Sequence, residues 1–125
     1  MRPPKPSLPV HRRHLLVCTG RQCAADGMDA QALDRLGNKL IRAGLLQQGP
    51  QRVKPSRVDC LGACGSGPVM CVQPDGAWYW GVTPEDFDRI ICQHLLGGQI
   101  VQELLFHQGP VPGADTAPNP NLARP

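Results

Sequence analysis

The stretch "VDCLGACGSGPVMCV", residues 58–72, places three cysteines and three glycines between two short apolar runs. An earlier stretch, "HLLVCTGRQC", residues 14–23, has a related order, with an apolar run that leads into a loop containing cysteine. We predict a first strand over residues 14–18 and a second over residues 52–59. Because Pro55 cannot donate a ladder hydrogen bond, the second strand belongs at a sheet edge. Each strand delivers cysteines to the loop that follows it.

A helical pattern begins at about residue 26, between these two strands. Its apolar face consists of Leu33, Leu36, Leu40 and Ile41, and charged residues occupy the other side. Gly49-Pro50 predicts the end of the helix, since a glycine cap followed by proline stops further winding.

The second half of the chain predicts a hairpin and a second helix. The runs "PVMCV" and "AWYWGV" flank "QPDG", which is typical of a tight turn, and Trp78 and Trp80 fall on one side of the strand. Thr83 is the predicted N-cap, followed by Pro84 and, at the third position, Asp86. The buried stripe of this helix is predicted to contain Phe87, Ile90, Ile91 and Leu95. Residues 99–106 suit either a short helix or an extended arm.

The element order β-α-β-β-β-α predicts an α/β fold on a thioredoxin-like plan. We expect a roughly four-stranded mixed sheet with the helices packed on it. The first two strands should be parallel neighbours, because a strand–helix–strand unit makes a right-handed crossover. The loops that follow these two strands would then emerge at the same end of the sheet.

The length of 125 residues leaves room for one domain, which we place at residues 11–107. Nine of the 14 prolines lie in two tails, residues 1–10 and 108–125, which we expect to be disordered. No apolar run suggests a signal peptide or a membrane span, so we expect a cytoplasmic protein without membrane insertion. The net charge of +3 is too small to favour a nucleic-acid partner.

Six cysteines in a short cytoplasmic chain favour metal binding or redox chemistry over structural disulfides. Four of them occupy strand-to-loop positions: Cys18 and Cys23 with four residues between them, and Cys60 and Cys64 with three. Cys71 in a strand and Cys92 in a helix are predicted to be small apolar core residues and not ligands. The four histidines are predicted to be solvated.

Four thiolates suit zinc or an iron–sulfur cluster by charge and softness. Neither pair has the two-residue spacing of a zinc knuckle, and longer loops accommodate a two-iron cluster. Glycines in both loops allow backbone N–H groups to approach sulfur, and Arg21 adds a nearby cation. The absence of a Cys-x-x-Cys pair argues against a thioredoxin-type dithiol enzyme. A zinc-stapled interaction module remains an alternative.

The motifs "VCTGRQC", "VDCLGACGSGPVMCV" and "PDGAWYWGVTPED" resemble those of the thioredoxin-like [2Fe-2S] ferredoxins, over residues 14–106. The spacing of the cysteines is similar to that of the small [2Fe-2S] subunit of NADH dehydrogenases. The chain carries a proline-rich tail where such subunits have a helical N-terminal extension.

The resemblance implies that Cys18 and Cys23 bind one iron and Cys60 and Cys64 the other. It also implies an electron carrier, not an enzyme, with a protein reductase and a protein acceptor as partners, and it allows a homodimer. A further alternative is an electron-transfer subunit of a dehydrogenase or hydrogenase complex.

Overall fold

A computed structural model describes residues 2–20, 30–59, 61–62 and 67–109 of the chain. Its strands are β1 (Arg13–Cys18), β2 (Val53–Val58), β3 (Met70–Gln73), β4 (Ala77–Tyr79) and β5 (Leu105–Gln108). Its helices are α1 (Ala30–Arg42) and α2 (Pro84–Arg89), and α2 continues directly into a π-helical segment, Ile90–Leu96. A single 3-10 turn, Gln102–Leu104, precedes β5.

The five strands form one mixed sheet in the order β2-β1-β3-β4-β5. β1 and β2 are parallel, and each remaining pair is antiparallel. These pairings confirm the parallel first unit, the hairpin and the edge position of the strand that contains Pro55. The sheet has five strands where roughly four were expected. Residues 99–106 were predicted to form either a short helix or an extended arm, and the structure combines the two: a 3-10 turn leads into the additional edge strand, β5.

One face of the sheet carries the main core. Alternate residues of β1, β3 and β4, such as Leu15 and Tyr79, are buried on this face. The helices cover it with Leu36 and Leu40 of α1 and with the predicted stripe of Phe87, Ile90, Ile91 and Leu95, all buried in the same cluster. Cys18, Val69 and Trp78 belong to a separate, smaller cluster.

Helix α1 ends earlier than predicted, at Arg42 and not near Gly49-Pro50. Gly44 adopts a left-handed conformation with φ 72°. Its N–H donates to Ile41 O at 2.9 Å, and Leu45 N–H donates to Leu40 O at 3.1 Å, which is the Schellman arrangement. The prediction of a buried Ile41 was also wrong: the residue is 60% exposed, one position round the helix from buried Leu40.

Helix α2 begins as predicted. Thr83 is the N-cap, and Pro84 takes the first helical position. Asp86 N–H donates to Thr83 Oγ1 at 3.0 Å, and Thr83 N–H donates to the Asp86 carboxylate at 3.1 Å. This capping box satisfies two backbone donors that a helix start leaves unpaired.

His94 contradicts the prediction of solvated histidines, since it is fully buried. The Tyr79 hydroxyl accepts from Val101 N–H at 3.1 Å and lies 2.8 Å from His94 Nδ1. His94 Nε2 lies 2.6 Å from Asp75 Oδ2, which also accepts from Arg13 Nε at 3.1 Å. The Asp75 carboxylate can only accept, so the neutral His94 ring carries its proton on Nε2, and its Nδ1 accepts from the Tyr79 hydroxyl.

This polar network shifts the pKa values of its members. Burial lowers the pKa of His94, and the hydrogen bond and charge of Asp75 oppose that effect without overcoming it. Burial alone would raise the pKa of Asp75, but the hydrogen bonds from His94 and Arg13 outweigh it and leave that pKa below its usual value. Burial also raises the pKa of Tyr79. The side chains therefore form one hydrogen-bonded unit between the sheet and the π-helical segment.

The N-terminal residues 2–10 form neither helix nor strand and are exposed. The predicted C-terminal tail from residue 110 onward lies outside the described residues. Within the part of the chain that the structure describes, no helix has the length and apolarity needed to cross a membrane.

Candidate metal centre

Cys18 lies at the end of β1 and is completely buried. Its backbone N–H donates to Val69 O at 3.0 Å. Its thiol Sγ lies 3.8 Å from the carbonyl oxygen of Asp59. Cys18 therefore contacts the residue just before Cys60 and, on its other side, the residue that leads into β3.

The loop that carries Cys60 and Cys64 therefore begins and ends beside Cys18. The parallel register pairs Cys18 with Val58, and Thr19 N–H donates to Val58 O at 2.8 Å. Because β3 is antiparallel to β1, the chain that leaves β2 at Asp59 returns to the same end of the sheet at Val69. Cys60 and Cys64 lie on this nine-residue excursion, residues 60–68.

Gly20 explains why the two loops approach so closely. A Cβ at this position would overlap the carbonyl oxygen of Asp59 and would lie 3.9 Å from Cys18 Sγ. A glycine is therefore required for the first loop to pass beside the start of the second.

The structure describes one of the four predicted cysteine ligands. Cys18 lies within the described residues, whereas Cys23, Cys60 and Cys64 lie outside them, as does Arg21. Among residues 2–20, 30–59, 61–62 and 67–109, no group of three His, Cys, Asp or Glu side chains is arranged to hold a metal ion.

The remaining cysteines differ from each other. Cys71 is buried in β3, as predicted, and accepts a hydrogen bond from Gln73 Nε2 at 3.2 Å. Burial raises the pKa of its thiol to about 11. Cys92 was predicted to be buried, but it is exposed, because the stripe of Ile91 and Leu95 turns it away from the core.

An apolar surround encloses Cys18. It consists of Val69 together with the partly buried Leu61 and Trp78. Trp78 and Trp80, which the alternation predicts on one side of the strand, both contact Phe106, but the alternation did not connect Trp78 with the cluster of Cys18 and Val69. That contact depends on the order of β1, β3 and β4 in the sheet, which the sequence alone does not fix.

The indole nitrogen of Trp78 is an unusual feature of this surround. It is buried, and it has no hydrogen-bond partner among the described residues. The indole ring makes edge contacts with Phe106 and His107, at centroid distances of 6.5 and 6.0 Å. The ring is therefore held between β5 and the cysteine end of the sheet.

These residues suit a thiolate-bound cluster. A buried sulfur, a glycine that admits a second loop and an unpaired N–H donor are the features that hold and tune an iron–sulfur centre.

Comparison with known proteins agrees with this interpretation. The sequence profile of the family described as "Thioredoxin-like [2Fe-2S] ferredoxin" matches residues 7–94. A 2Fe-2S ferredoxin of Aquifex aeolicus is 50% identical over 54 residues, which is 43% of this chain and about half (49%) of that protein. A protein of Priestia megaterium that is named "Putative 2Fe-2S ferredoxin" is 33% identical over 97 residues, covering 78% of this chain and 72% of that protein.

One relative comes from a larger assembly by its name: an NADH-quinone oxidoreductase subunit of Rickettsia bellii, 30% identical over 66% of this chain and 48% of that protein. Among solved structures, the thioredoxin-like [2Fe-2S] ferredoxin of Aquifex aeolicus aligns with a TM-score of 0.56 at 32% identity, covering 83% of this chain and 98% of that one. The chain belongs to the thioredoxin-like [2Fe-2S] ferredoxins, a family of electron carriers, and its cofactor is a [2Fe-2S] cluster.

Proposed function

We propose that this chain holds its [2Fe-2S] cluster on Cys18, Cys23, Cys60 and Cys64 and shuttles single electrons between a reductase and an acceptor enzyme. The observation that supports this ligand set most is the contact of Cys18 with both Asp59 and Val69, the two anchors of the loop that carries Cys60 and Cys64. Four thiolates at one end of a sheet match the donor set of such a cluster.

In this proposal Cys18 and Cys23 bind one iron, and Cys60 and Cys64 bind the other. The cluster supplies the one-electron chemistry. The protein buries the sulfur of Cys18, excludes water with Val69 and Leu61, and supplies hydrogen-bond donors that set the potential. No organic substrate is transformed, so the chain acts as a carrier and not as an enzyme.

The partners in this proposal are proteins. The cluster-bearing domain occupies residues 11–107 and works in the cytoplasm, where a reducing environment keeps the other thiols free. A reductase delivers the electron and an acceptor enzyme removes it, without nucleic acid or membrane insertion.

A second candidate is a subunit of a dehydrogenase complex. The similarity to the NADH-quinone oxidoreductase subunit of Rickettsia bellii supports it. A complex-bound subunit would co-purify with a flavin-bearing partner when isolated from its native cell by a mild tag, whereas a free carrier would elute alone or as a homodimer.

The test is an ultraviolet–visible spectrum of protein purified without oxygen, with iron, sulfide and zinc measured on the same sample. We expect two irons and two sulfides per chain, as the [2Fe-2S] formula requires, and visible absorption that bleaches on dithionite and returns on air. Voltammetry should then give a reversible one-electron wave. One zinc, no colour and no uptake of iron and sulfide on reconstitution would contradict the proposal and leave a zinc-stapled module.

A further inference from the structure

The indole N–H of Trp78 is the feature that the fold does not account for. A buried hydrogen-bond donor without a partner is rare in folded proteins, because the donor loses water and gains nothing in return. Trp78 Nε1 and Arg52 Nη1 are the two such side-chain atoms within the described parts of the chain. Of the two, Trp78 is the one that packs against the small apolar cluster of Cys18 and Val69, which contains a predicted ligand of the iron–sulfur centre.

Trp78 is also well fixed in position. Its strand is paired on both sides, with Cys71 opposite it on β3 and His107 opposite it on β5. Phe106 and His107 contact the indole ring, and the same side chain packs against the apolar cluster of Cys18 and Val69. A donor held in this way cannot turn out to solvent without disrupting both contacts.

The sulfur atoms already present nearby do not satisfy this donor. The sulfurs of Cys18 and Cys71 both belong to described residues, and neither accepts a hydrogen bond from the indole. An acceptor must therefore come from something other than the described side chains and backbone.

The chemistry of a [2Fe-2S] centre supplies such an acceptor. Its sulfides and thiolates carry negative charge, and that charge increases when the centre accepts an electron. Hydrogen bonds to these sulfurs are among the factors that set the reduction potential. A donor that is more strongly bound in the reduced state stabilises that state and raises the potential.

We propose that the indole N–H of Trp78 donates a hydrogen bond to a sulfur atom of the [2Fe-2S] centre and raises its reduction potential. This inference rests on the proposed function, since it requires the cluster to lie beside Cys18. Trp78 then acts as a tuning residue: it carries no electron and ligates no iron.

The direct test uses the intact protein with its tryptophans labelled with ¹⁵N at the indole nitrogen. The dithionite-reduced centre is paramagnetic, so pulsed electron paramagnetic resonance detects nitrogen nuclei that are hydrogen-bonded to its sulfurs. We expect a ¹⁵N coupling in the labelled wild-type protein and in Trp80→Phe, and none in Trp78→Phe. Trp80 is the matched control, because its indole also contacts Phe106 but the residue is 41% exposed.

The potentials give a second readout. We expect Trp78→Phe to lower the reduction potential and Trp80→Phe to leave it unchanged, with full iron and sulfide content in both. A labelled wild-type protein without ¹⁵N coupling would overturn the proposal even if Trp78→Phe fails to fold. The absence of any [2Fe-2S] signal in the reduced wild type would instead overturn the proposed function, and this inference with it.

Discussion

Trp78 and Tyr79 are neighbours on β4, yet their polar atoms lie in opposite situations. The Tyr79 hydroxyl accepts from Val101 and donates to His94, on the face of the sheet that the helices cover. The Trp78 indole lies on the other side of the strand beside Cys18, and its N–H has no partner among the described residues. One face is completed by the chain's own side chains, whereas the other carries the donor that we propose binds the iron–sulfur centre.

This difference separates stability from function along a single strand. The network of Arg13, Asp75, Tyr79 and His94 holds the sheet, the hairpin turn and the π-helical segment together. The Cys18 side contributes less to the core and provides the surroundings of the cluster. Substitutions on the two sides should therefore have different consequences.

The largest effect is expected at Gly20. In Gly20→Ala the new Cβ overlaps the carbonyl oxygen of Asp59, so the two cysteine loops are pushed apart and the protein loses most of its iron. Iron and sulfide assays on protein purified without oxygen measure this. Gly37→Ala is the control, since a Cβ there meets nothing within 4 Å. It should keep its cluster and gain up to about 1 kcal/mol, because alanine is the better helix former. A full cluster in Gly20→Ala would contradict the proposed meeting of the loops.

The next effect is expected on the helix-covered side. His94→Ala removes a fully buried ring and leaves Tyr79 and Asp75 without their shared partner. We expect a loss of about 3 kcal/mol in the free energy of unfolding, from the cavity and the unpaired groups. Anaerobic urea unfolding measures it. Cys92→Ala, on the exposed side of the same segment, should change stability by less than about 0.5 kcal/mol. Equal losses in the two variants would show that the network is not important for stability.

A smaller effect is expected from pH. The folded protein holds His94 neutral with a pKa below 6.5, whereas the unfolded chain takes up a proton near 6.5. The unfolded state therefore binds more protons as the pH falls below that value, and the free energy of unfolding decreases until the pKa of the folded state is reached. The depressed pKa of Asp75 adds a further loss in the same direction at more acidic pH, below about 3.8.

Urea midpoints between pH 8 and 5 test this dependence. We expect the wild-type midpoint to decrease toward pH 5 and the decrease to be shallower in His94→Gln, which cannot be protonated. His14 also has a pKa lowered by burial and by Lys54, so a residual slope should remain in the variant. A wild-type midpoint that rises on acidification would mean that His94 is charged in the folded protein.

The smallest change concerns the two non-ligand thiols. Cys92 is exposed and should react with iodoacetamide in the folded holoprotein, without loss of visible absorption. Cys71 should stay unmodified, because it is buried and its pKa is raised to about 11. Peptide mass spectrometry identifies the modified residue. Alkylation of Cys71 ahead of Cys92 would contradict the described burial.

The sequence predicted most of what depends on local pattern. The capping box at Thr83, the edge position of Pro55 and the parallel pairing of the first two strands were all confirmed, because each follows from short-range chemistry or a general connection rule. The end of α1 was wrong because two glycine stops lie close together, and the Schellman bonds form at the earlier one, Gly44.

The errors at buried positions have a common origin. His94 was predicted to be solvated and Cys92 buried, and the structure reverses both. Residue type gave the wrong answer because His94 finds polar partners on β4 and in the hairpin turn, which are distant in sequence. The packing of Trp78 against the cluster of Cys18 and Val69 was missed for the same reason. The ligand set itself stays a prediction for Cys18, Cys23, Cys60 and Cys64.

The most direct measurement is the iron and acid-labile sulfide content of Cys60→Ala beside that of Cys71→Ala, both purified without oxygen. Alanine is preferred to serine because a serine oxygen can itself bind iron. We predict that Cys60→Ala loses the cluster and that Cys71→Ala retains two irons and two sulfides per chain, as the [2Fe-2S] formula requires. An intact cluster in Cys60→Ala together with an empty Cys71→Ala would contradict the assignment of the centre to the loops beside Cys18.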